Sequence, residues 1–430
     1  MSTNLNILEG ATLIDGTGGP VNVEAMVVID GPIIAYAGPR TAQFENVPAI
    51  RQKLFGKFIT PGLIEAHTHA AFEADMMAYI KNGITTVRFA GLHPTLELRL
   101  RNSIASSDLP APRILSCGPM IDQPPVAYPE WSIAVDTPDC AAVLAEKLIA
   151  EHDLHALIVT QRVTGPVMRA VVETAHRHGR SVVGQTWAVD GKEASILGID
   201  ELHTSSRVYA SSQYSPEDLL KYETIPERLS LASRAWASID WDTTKSIMET
   251  MIECKVSYCG MHVITQFQVG LGVRELEADA DFENFFGQPE RQAFREFNRR
   301  LQGGWNNDDL YYARVANDKR LEWLRCFREM GGVLLAGTDM QFGGIMLHRE
   351  LRNLESIGMS RLEVITSATG GCAKALHVEN HFGKLRNGQS ADLVVLNSNP
   401  LLDLRALRDI NRVYRSGKLM WPTRGDEQPQ

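Results

Sequence analysis

The chain has 430 residues, 44% of them hydrophobic and 22% charged, with a formal net charge of −9. That length suits one large domain with an appendage. The acidic balance and the lack of any Lys/Arg run beyond two residues argue against a nucleic-acid partner, and no apolar stretch reaches membrane-spanning length. Six cysteines (117, 140, 254, 259, 326 and 372) form no Cys-x-x-Cys pair and read as buried thiols of a reducing compartment. The start, Met-Ser-Thr-Asn-Leu-Asn, has no signal-peptide pattern, so a cytoplasmic location is expected.

Residues 4–38 alternate short apolar runs with turn signals, among them Asp15-Gly16-Thr17-Gly18-Gly19-Pro20 and Asp30-Gly31. Similar runs return near the far end, at Ala391–Leu396 and Arg412–Leu419. Strands at both termini predict one composite β-sandwich from residues 1–57 and 381–430. Between them, eight apolar strand candidates alternate with amphipathic segments: 58–64, 84–89, 113–118, 156–160, 181–186, 200–204, 256–263 and 333–338. The clearest helix, 166–178, has Pro166 in its first turn, Val167, Ala170, Val171 and Ala175 on one face, and Gly179 to stop it. Eight alternations predict an α/β fold with a (β/α)8 TIM barrel over 58–380, whose chemistry sits at the C-terminal strand ends. Residues 264–317 hold no good strand and form a long insert before the last one, the length of a lid.

The first of these strands runs into Pro61-Gly62-Leu63-Ile64-Glu65-Ala66-His67-Thr68-His69. Histidines at i and i+2 on a strand share a face, roughly 6–7 Å apart along it, and suit a divalent cation. This stretch resembles the first-strand signature of the amidohydrolase superfamily, in its imidazolonepropionase- and prolidase-like branch, with Glu65 where aspartate is usual. Ala-Asp-Leu-Val-Val-Leu at 391–396 is similar to the tail of many members, so the resemblance extends over nearly the whole chain. It implies a metal-dependent hydrolase of carbon–nitrogen bonds. It also implies a metal-binding and proton-accepting role for Asp339, at the end of Val333–Thr338, and a place in the site for His203, in Asp200-Glu201-Leu202-His203.

Two positions depart from the pattern. The bridging lysine of two-metal members is expected near Ile158, and the strand-five histidine is replaced by Gln185, a poor zinc ligand. Charge balance agrees, since two divalent ions would leave a large uncompensated positive charge. The expectation is therefore at most one divalent ion, zinc by ligand type, on His67, His69 and Asp339. A water would be activated there, with Asp339 and His203 as the catalytic pair, His203 stabilising the developing oxyanion.

Substrate-binding candidates are Gln185, Arg162, Trp187, Tyr209, His262 (at the end of strand seven) and Phe342, with Arg88, Tyr214, Phe267 and Trp305 as further pocket positions. His348 either faces the site or lies on a helix surface. The expected partners are a small, partly apolar substrate and further copies of the chain, with neither nucleic acid nor membrane. Two other readings share these residues: an enzyme of the same fold that no longer hydrolyses (an isomerase, lyase or decarboxylase), and a non-catalytic binding relative. Retention of His67, His69, His203 and Asp339 together argues against the last.

Overall fold

The computed structural model describes residues 5–422 apart from 108, 205, 271–272, 279–281, 284–286 and 341; parts of the expected insert thus lie outside the described residues. Strands from both ends build one mixed sheet, ordered Lys418–Trp421, Ile410–Arg415, Leu393–Leu396, Phe58–Pro61, Leu5–Leu13, Asn22–Asp30 and Ile33–Pro39, with Ala49–Lys53 also paired to Leu5–Leu13. Side chains alternate along these strands as period two requires. Val27 and Ile29 join Leu8, Leu13 and Leu393 on one face, while Met26 and Val28 join Leu5, Ile7 and Phe44 on the other.

The remaining strands are mostly parallel. Leu63–Thr68, Ile84–Phe89 and Arg113–Ser116 form one sheet. A second runs Ser132–Ala134, Met120–Asp122, Ala156–Val159, Ser181–Gly184, Glu201–His203, Ser257–Cys259 and Leu334–Leu335. Backbone bonds link both margins of the three-stranded sheet to the second: Ala66 N–H donates to Ala336 O (2.9 Å) and Thr338 N–H to His67 O (2.9 Å) on one side, and His155 N–H, just before Ala156–Val159, to Ser116 O (2.7 Å) on the other. The molecule is a mixed α/β structure with parallel sheets. Helices between the strands follow their sequence logic. Gly165–Arg177 starts at Pro166, buries Val167, Val171, Val172 and Ala175, and is followed by Gly179 at φ +64°.

Three sequence expectations change. The run 58–64 is not one strand: Phe58–Pro61 pairs antiparallel with Leu393–Leu396 in the terminal sheet, and a separate strand, Leu63–Thr68, carries the histidines. Gly62 makes the join where Thr85 packs so closely that a β-carbon would sit 2.0 Å from its Oγ1. An apolar run cannot announce a change of sheet. Of the six cysteines, Cys117, Cys259 and Cys372 are buried, whereas Cys140 and Cys254 are exposed. Among its described residues, the segment after strand seven forms the helices His262–Gln268, Val273–Glu277 and Gln288–Leu301 before the 23-residue Asn307–Glu329. Among the described residues, no helix is long and apolar enough to cross a membrane.

Strand seven stops at Cys259, and Met261 turns the chain at φ +44°, so His262 opens a helix instead of ending a strand. That helix start is held by Glu350, fully buried on Ile345–Ser356, which accepts the N–H groups of His262 (2.9 Å) and Val263 (2.8 Å). Burial outweighs these bonds and pushes the Glu350 carboxyl up to about 7 from its ordinary 4.5. Since the folded value lies above the unfolded one, this group's stabilisation is full below the unfolded value and is lost as pH rises through about 7. The swing is about 3 kcal/mol. Glu350→Gln keeps an acceptor but cannot ionise, so its thermal midpoint is predicted to fall less than that of the wild type between pH 5 and pH 8. Equal declines in the two proteins would refute this.

Candidate metal centre and substrate cavity

His67 is fully buried at the end of the Leu63–Thr68 strand, and His69, just beyond it, keeps 12% of its side chain exposed. Asp339 reaches them from the turn after Leu334–Leu335. The N–H groups of Thr338 and Asp339 both donate to His67 O (2.9 and 3.0 Å), which docks one strand end directly on the other. Gly337 permits this approach, because a β-carbon there would lie 2.5 Å from Cys259 Sγ and 2.9 Å from His67 N. Asp339 itself sits at φ +57°, a left-handed conformation that costs roughly 1–2 kcal/mol in a non-glycine residue and clusters at functional sites.

The three side chains converge on one point. His67 Nε2 lies 3.4 Å from His69 Nε2 and 3.2 Å from Asp339 Oδ1, and His69 Nε2 lies 2.8 Å from the same oxygen. Tetrahedral zinc, with bonds of about 2.0–2.1 Å, separates its ligand atoms by roughly 3.3 Å. The trio therefore fits such an ion in donor type and in spacing. Among the described residues, no other group of three His, Cys, Asp or Glu side chains converges in this way.

Electrostatics keep the donors in the forms a cation needs. Burial, reinforced by the neighbouring His203, takes the His67 imidazole down to about 3, so it is neutral. Burial acts to raise the Asp339 carboxyl, but its contacts with His67 and His69 outweigh this and hold it far below the usual carboxylate range. Behind His67 stands a hydrogen-bonded line. Glu201 Oε1 meets His203 Nε2 at 2.8 Å, and His203 Nδ1 meets His67 Nδ1 at 2.9 Å. Glu201 is fully ionised: against the cost of burial, Arg88 and His203 bring it down to about 2. A carboxylate only accepts, so His203 carries its proton on Nε2 and accepts at Nδ1. His67 must then donate from Nδ1, which leaves its Nε2 lone pair aimed at Asp339 and His69.

The line ends at Arg88, which pairs with Glu201 and donates from Nε to Ala66 O (2.7 Å). Arg88 is thus a structural ion-pair partner and not a pocket cation. Glu65, the unusual residue of the motif, is buried within reach of Thr338 with Oε1 unpartnered, and burial drives its carboxyl well above the ordinary value.

A cavity of about 560 Å³ opens beside His69 and Asp339. Gln185 lines it, as do Tyr128, Trp131, Arg228 and Phe294. The other substrate-binding candidates lie elsewhere. Arg162 stacks over Tyr222 (4.7 Å) and donates to Leu220 O. Trp187 and Tyr209 are buried beside a smaller side cavity, Tyr209 stacked on Trp236. His262 is buried against Thr265, and burial takes it down to about 3. Phe342 packs behind the lining on Phe294, 5.0 Å between centroids. Phe267 also packs on Phe294 (5.5 Å), and Trp305 donates to Pro226 O. His348 is buried on the Ile345–Ser356 helix, with Nε2 2.9 Å from Asn82 O. His203, with both nitrogens engaged, faces His67 and not the cavity.

Where two-metal relatives of the motif would carry the bridging lysine, Ile158 packs in an apolar cluster with Cys117, Met120 and Val183. Next to it Gln161 accepts from Tyr222 Oη (2.6 Å) and donates to Tyr128 Oη (3.3 Å). Sequence reasoning missed Tyr128, Trp131 and Arg228, which sit on connecting segments and helix starts where no periodicity singles a residue out.

Residues 317–420 match the model of the amidohydrolase family. Over 80 residues the chain is 38% identical to imidazolonepropionase of Pseudomonas paraeruginosa, covering 19% of this chain and 20% of that one. Over 85 residues it is 38% identical to N-acyl-D-aspartate deacylase of Alcaligenes xylosoxydans xylosoxydans, covering 19% and 16%. These matches span a fifth or less of the curated relatives' length. The likeness in fold is far wider: the crystal structure of a Xaa-Pro dipeptidase with methionine bound in its active site aligns over 96% of this chain and 99% of its own, with a TM-score of 0.69 at 21% identity. The family match over residues 317–420 and the curated relatives support the amidohydrolase superfamily, and the solved structure shows the same fold over nearly the whole chain.

Proposed function

We propose that the chain is a metal-dependent hydrolase that cleaves an amide, cyclic amide or related C–N or C–O bond of a small, partly apolar substrate. The observation that carries this is the convergence of His67, His69 and Asp339 at ligand-to-ligand spacing on the wall of a 560 Å³ cavity. The family match supports metal dependence, and the apolar surroundings of Ile158 support a single ion, zinc by its two imidazoles and one carboxylate. We read the architecture as a closed (β/α)8 barrel, expected over 58–380 but beginning at Leu63 because Phe58–Pro61 pairs in the terminal sheet, with a β-sandwich domain built from the two ends of the chain. Support comes from the backbone bonds at both sheet margins and from the shared terminal sheet, into which Phe58–Pro61 also extends.

A bound divalent ion polarises a carbonyl and lowers the pKa of water towards about 7. The chain's own groups do the rest. Asp339 holds both histidines through Oδ1, leaving Oδ2 to take the proton of the attacking water and pass it to the leaving nitrogen. Gln185 presents its amide across the cavity, where it can donate to the substrate carbonyl. His203 is a positioning residue: with Glu201 and Arg88 behind it, it fixes the His67 tautomer.

Elemental analysis of the protein is predicted to give one zinc per chain, and two tightly bound ions would contradict the reading. Asp339→Asn removes a ligand charge and the proton acceptor, so hydrolysis of a panel of N-acyl amino acids and cyclic amides should drop by at least about a hundredfold. Gln185→His adds an imidazole to the cavity wall and should tighten zinc binding; unchanged affinity would remove Gln185 from the metal's surroundings.

The hydrogen-bonded line makes its own prediction. His203→Phe takes away the acceptor for His67 Nδ1, so zinc affinity should fall on the order of ten- to a hundredfold while the fold persists. Zinc binding equal to the wild type would show that His203 positions nothing.

A further inference from the structure

The two imidazoles of the trio are not equally supported. His67 has its second nitrogen fixed by His203, which rests in turn on Glu201 and Arg88. His69 has no such line behind it. Its Nε2 faces Asp339 Oδ1 and His67 Nε2, while its Nδ1 is buried without a hydrogen-bond partner. With Nε2 giving its lone pair to a cation, a neutral imidazole carries its proton on Nδ1. Among the described residues, that buried N–H has no oxygen or nitrogen to receive it. This is the position at which a second contact normally sets the direction of a ligating histidine.

What meets the ring instead is Trp131. The two centroids lie 4.9 Å apart and the planes cross at 85°. In a perpendicular pair one ring offers its positive edge to the negative face of the other. The imidazole is the ring with a buried N–H to offer, and an N–H over an aromatic face is a weak hydrogen bond. Trp131 is held in place on its other sides. It ends the connection between Met120–Asp122 and Ser132–Ala134, where its N–H donates to Tyr128 O (3.0 Å) and its carbonyl accepts from Met120 N–H (2.9 Å). Its ring packs on the apolar cluster of Cys117, Met120, Ile158 and Val183. Ile158, where the sequence pattern leads one to expect a bridging lysine, thus forms part of the bed under the indole.

We propose that Trp131 is a positioning residue of the metal centre: its indole face takes the Nδ1–H edge of His69 and so aims Nε2 at the ion. An aromatic face does for His69 what the His203–Glu201–Arg88 line does for His67. This rests on the metal-dependent reading above and on no particular substrate.

The test reads metal binding and ligand geometry in the full-length chain, not turnover. Zinc affinity is measured by competition with a chromophoric chelator for the wild type, Trp131→Phe and Trp131→Leu. Leucine keeps an apolar side chain on the cluster but has no aromatic face, so affinity should fall about tenfold, whereas phenylalanine should hold it within about threefold of the wild type. In zinc-loaded protein with isotope-labelled histidine, the Nδ1–H proton of His69 is identified by its loss in His69→Gln. It should resonate upfield of the His67 Nδ1–H proton, shielded by the indole ring, and should move downfield in Trp131→Leu. Should the leucine variant fail to fold, the wild-type proton shift still decides. Unchanged affinity in Trp131→Leu, an equal fall in both variants, or a His69 proton with no upfield shift would each overturn the proposal and leave the metal centre standing. A wild type that binds no zinc would overturn the metal centre and this proposal together.

Discussion

A buried ion pair between Arg88 and Glu201 sets the geometry of everything above it. Two charges taken out of water in the protein interior are costly, and losing one partner typically costs about 3–5 kcal/mol because the other is left uncompensated. What the pair supplies here is direction. Glu201 stays ionised at the start of its strand, His203 therefore presents a proton to it, and His67 in turn must present its own proton to His203. One lone pair, on His67 Nε2, is thereby aimed at the place where His69 and Asp339 also point. Arg88 secures the arrangement a second time by bonding to Ala66 O, the residue beside His67.

The trio's other half depends on backbone contact. Asp339 is in reach because Gly337 lets the last strand close on the first and because the chain accepts a left-handed turn at a non-glycine residue. Each feature costs conformational freedom, and both serve one end, the placement of Oδ1 within 3.2 Å of two imidazole nitrogens. The positions where the sequence pattern leads one to expect a lysine and a histidine hold Ile158, in an apolar cluster, and Gln185, on the cavity wall.

Much of this was legible in the sequence, for identifiable reasons. His67, His69, His203 and Asp339 lie at the ends of short apolar runs, and period two fixes the face on which the two first-strand histidines stand. The terminal strands were legible from turn signals and β-branched runs at both ends. What was not legible depends on tertiary contact. Nothing local separates Phe58–Pro61 from Leu63–Thr68 as members of different sheets. His262 looks like a strand end until Met261 turns the chain and Glu350, 88 residues later, captures its N–H. Arg228 and Trp131 carry no pattern of their own, and they matter because distant segments leave them facing one cavity. The aromatic candidates named from sequence were in the right stretch of the chain, yet Phe267 and Phe342 lie behind the cavity wall that Phe294 forms.

The central claim, that His67, His69 and Asp339 hold one divalent ion beside the cavity, is most directly tested by replacing zinc with cobalt(II) and following its visible absorption during titration. A site with two imidazoles and a carboxylate leaves room for one further ligand, so the account predicts the intense bands of a low-coordinate ion. They should saturate at one equivalent and be lost in His69→Ala. A weak octahedral spectrum, saturation at two equivalents, or an unchanged spectrum in His69→Ala would contradict it.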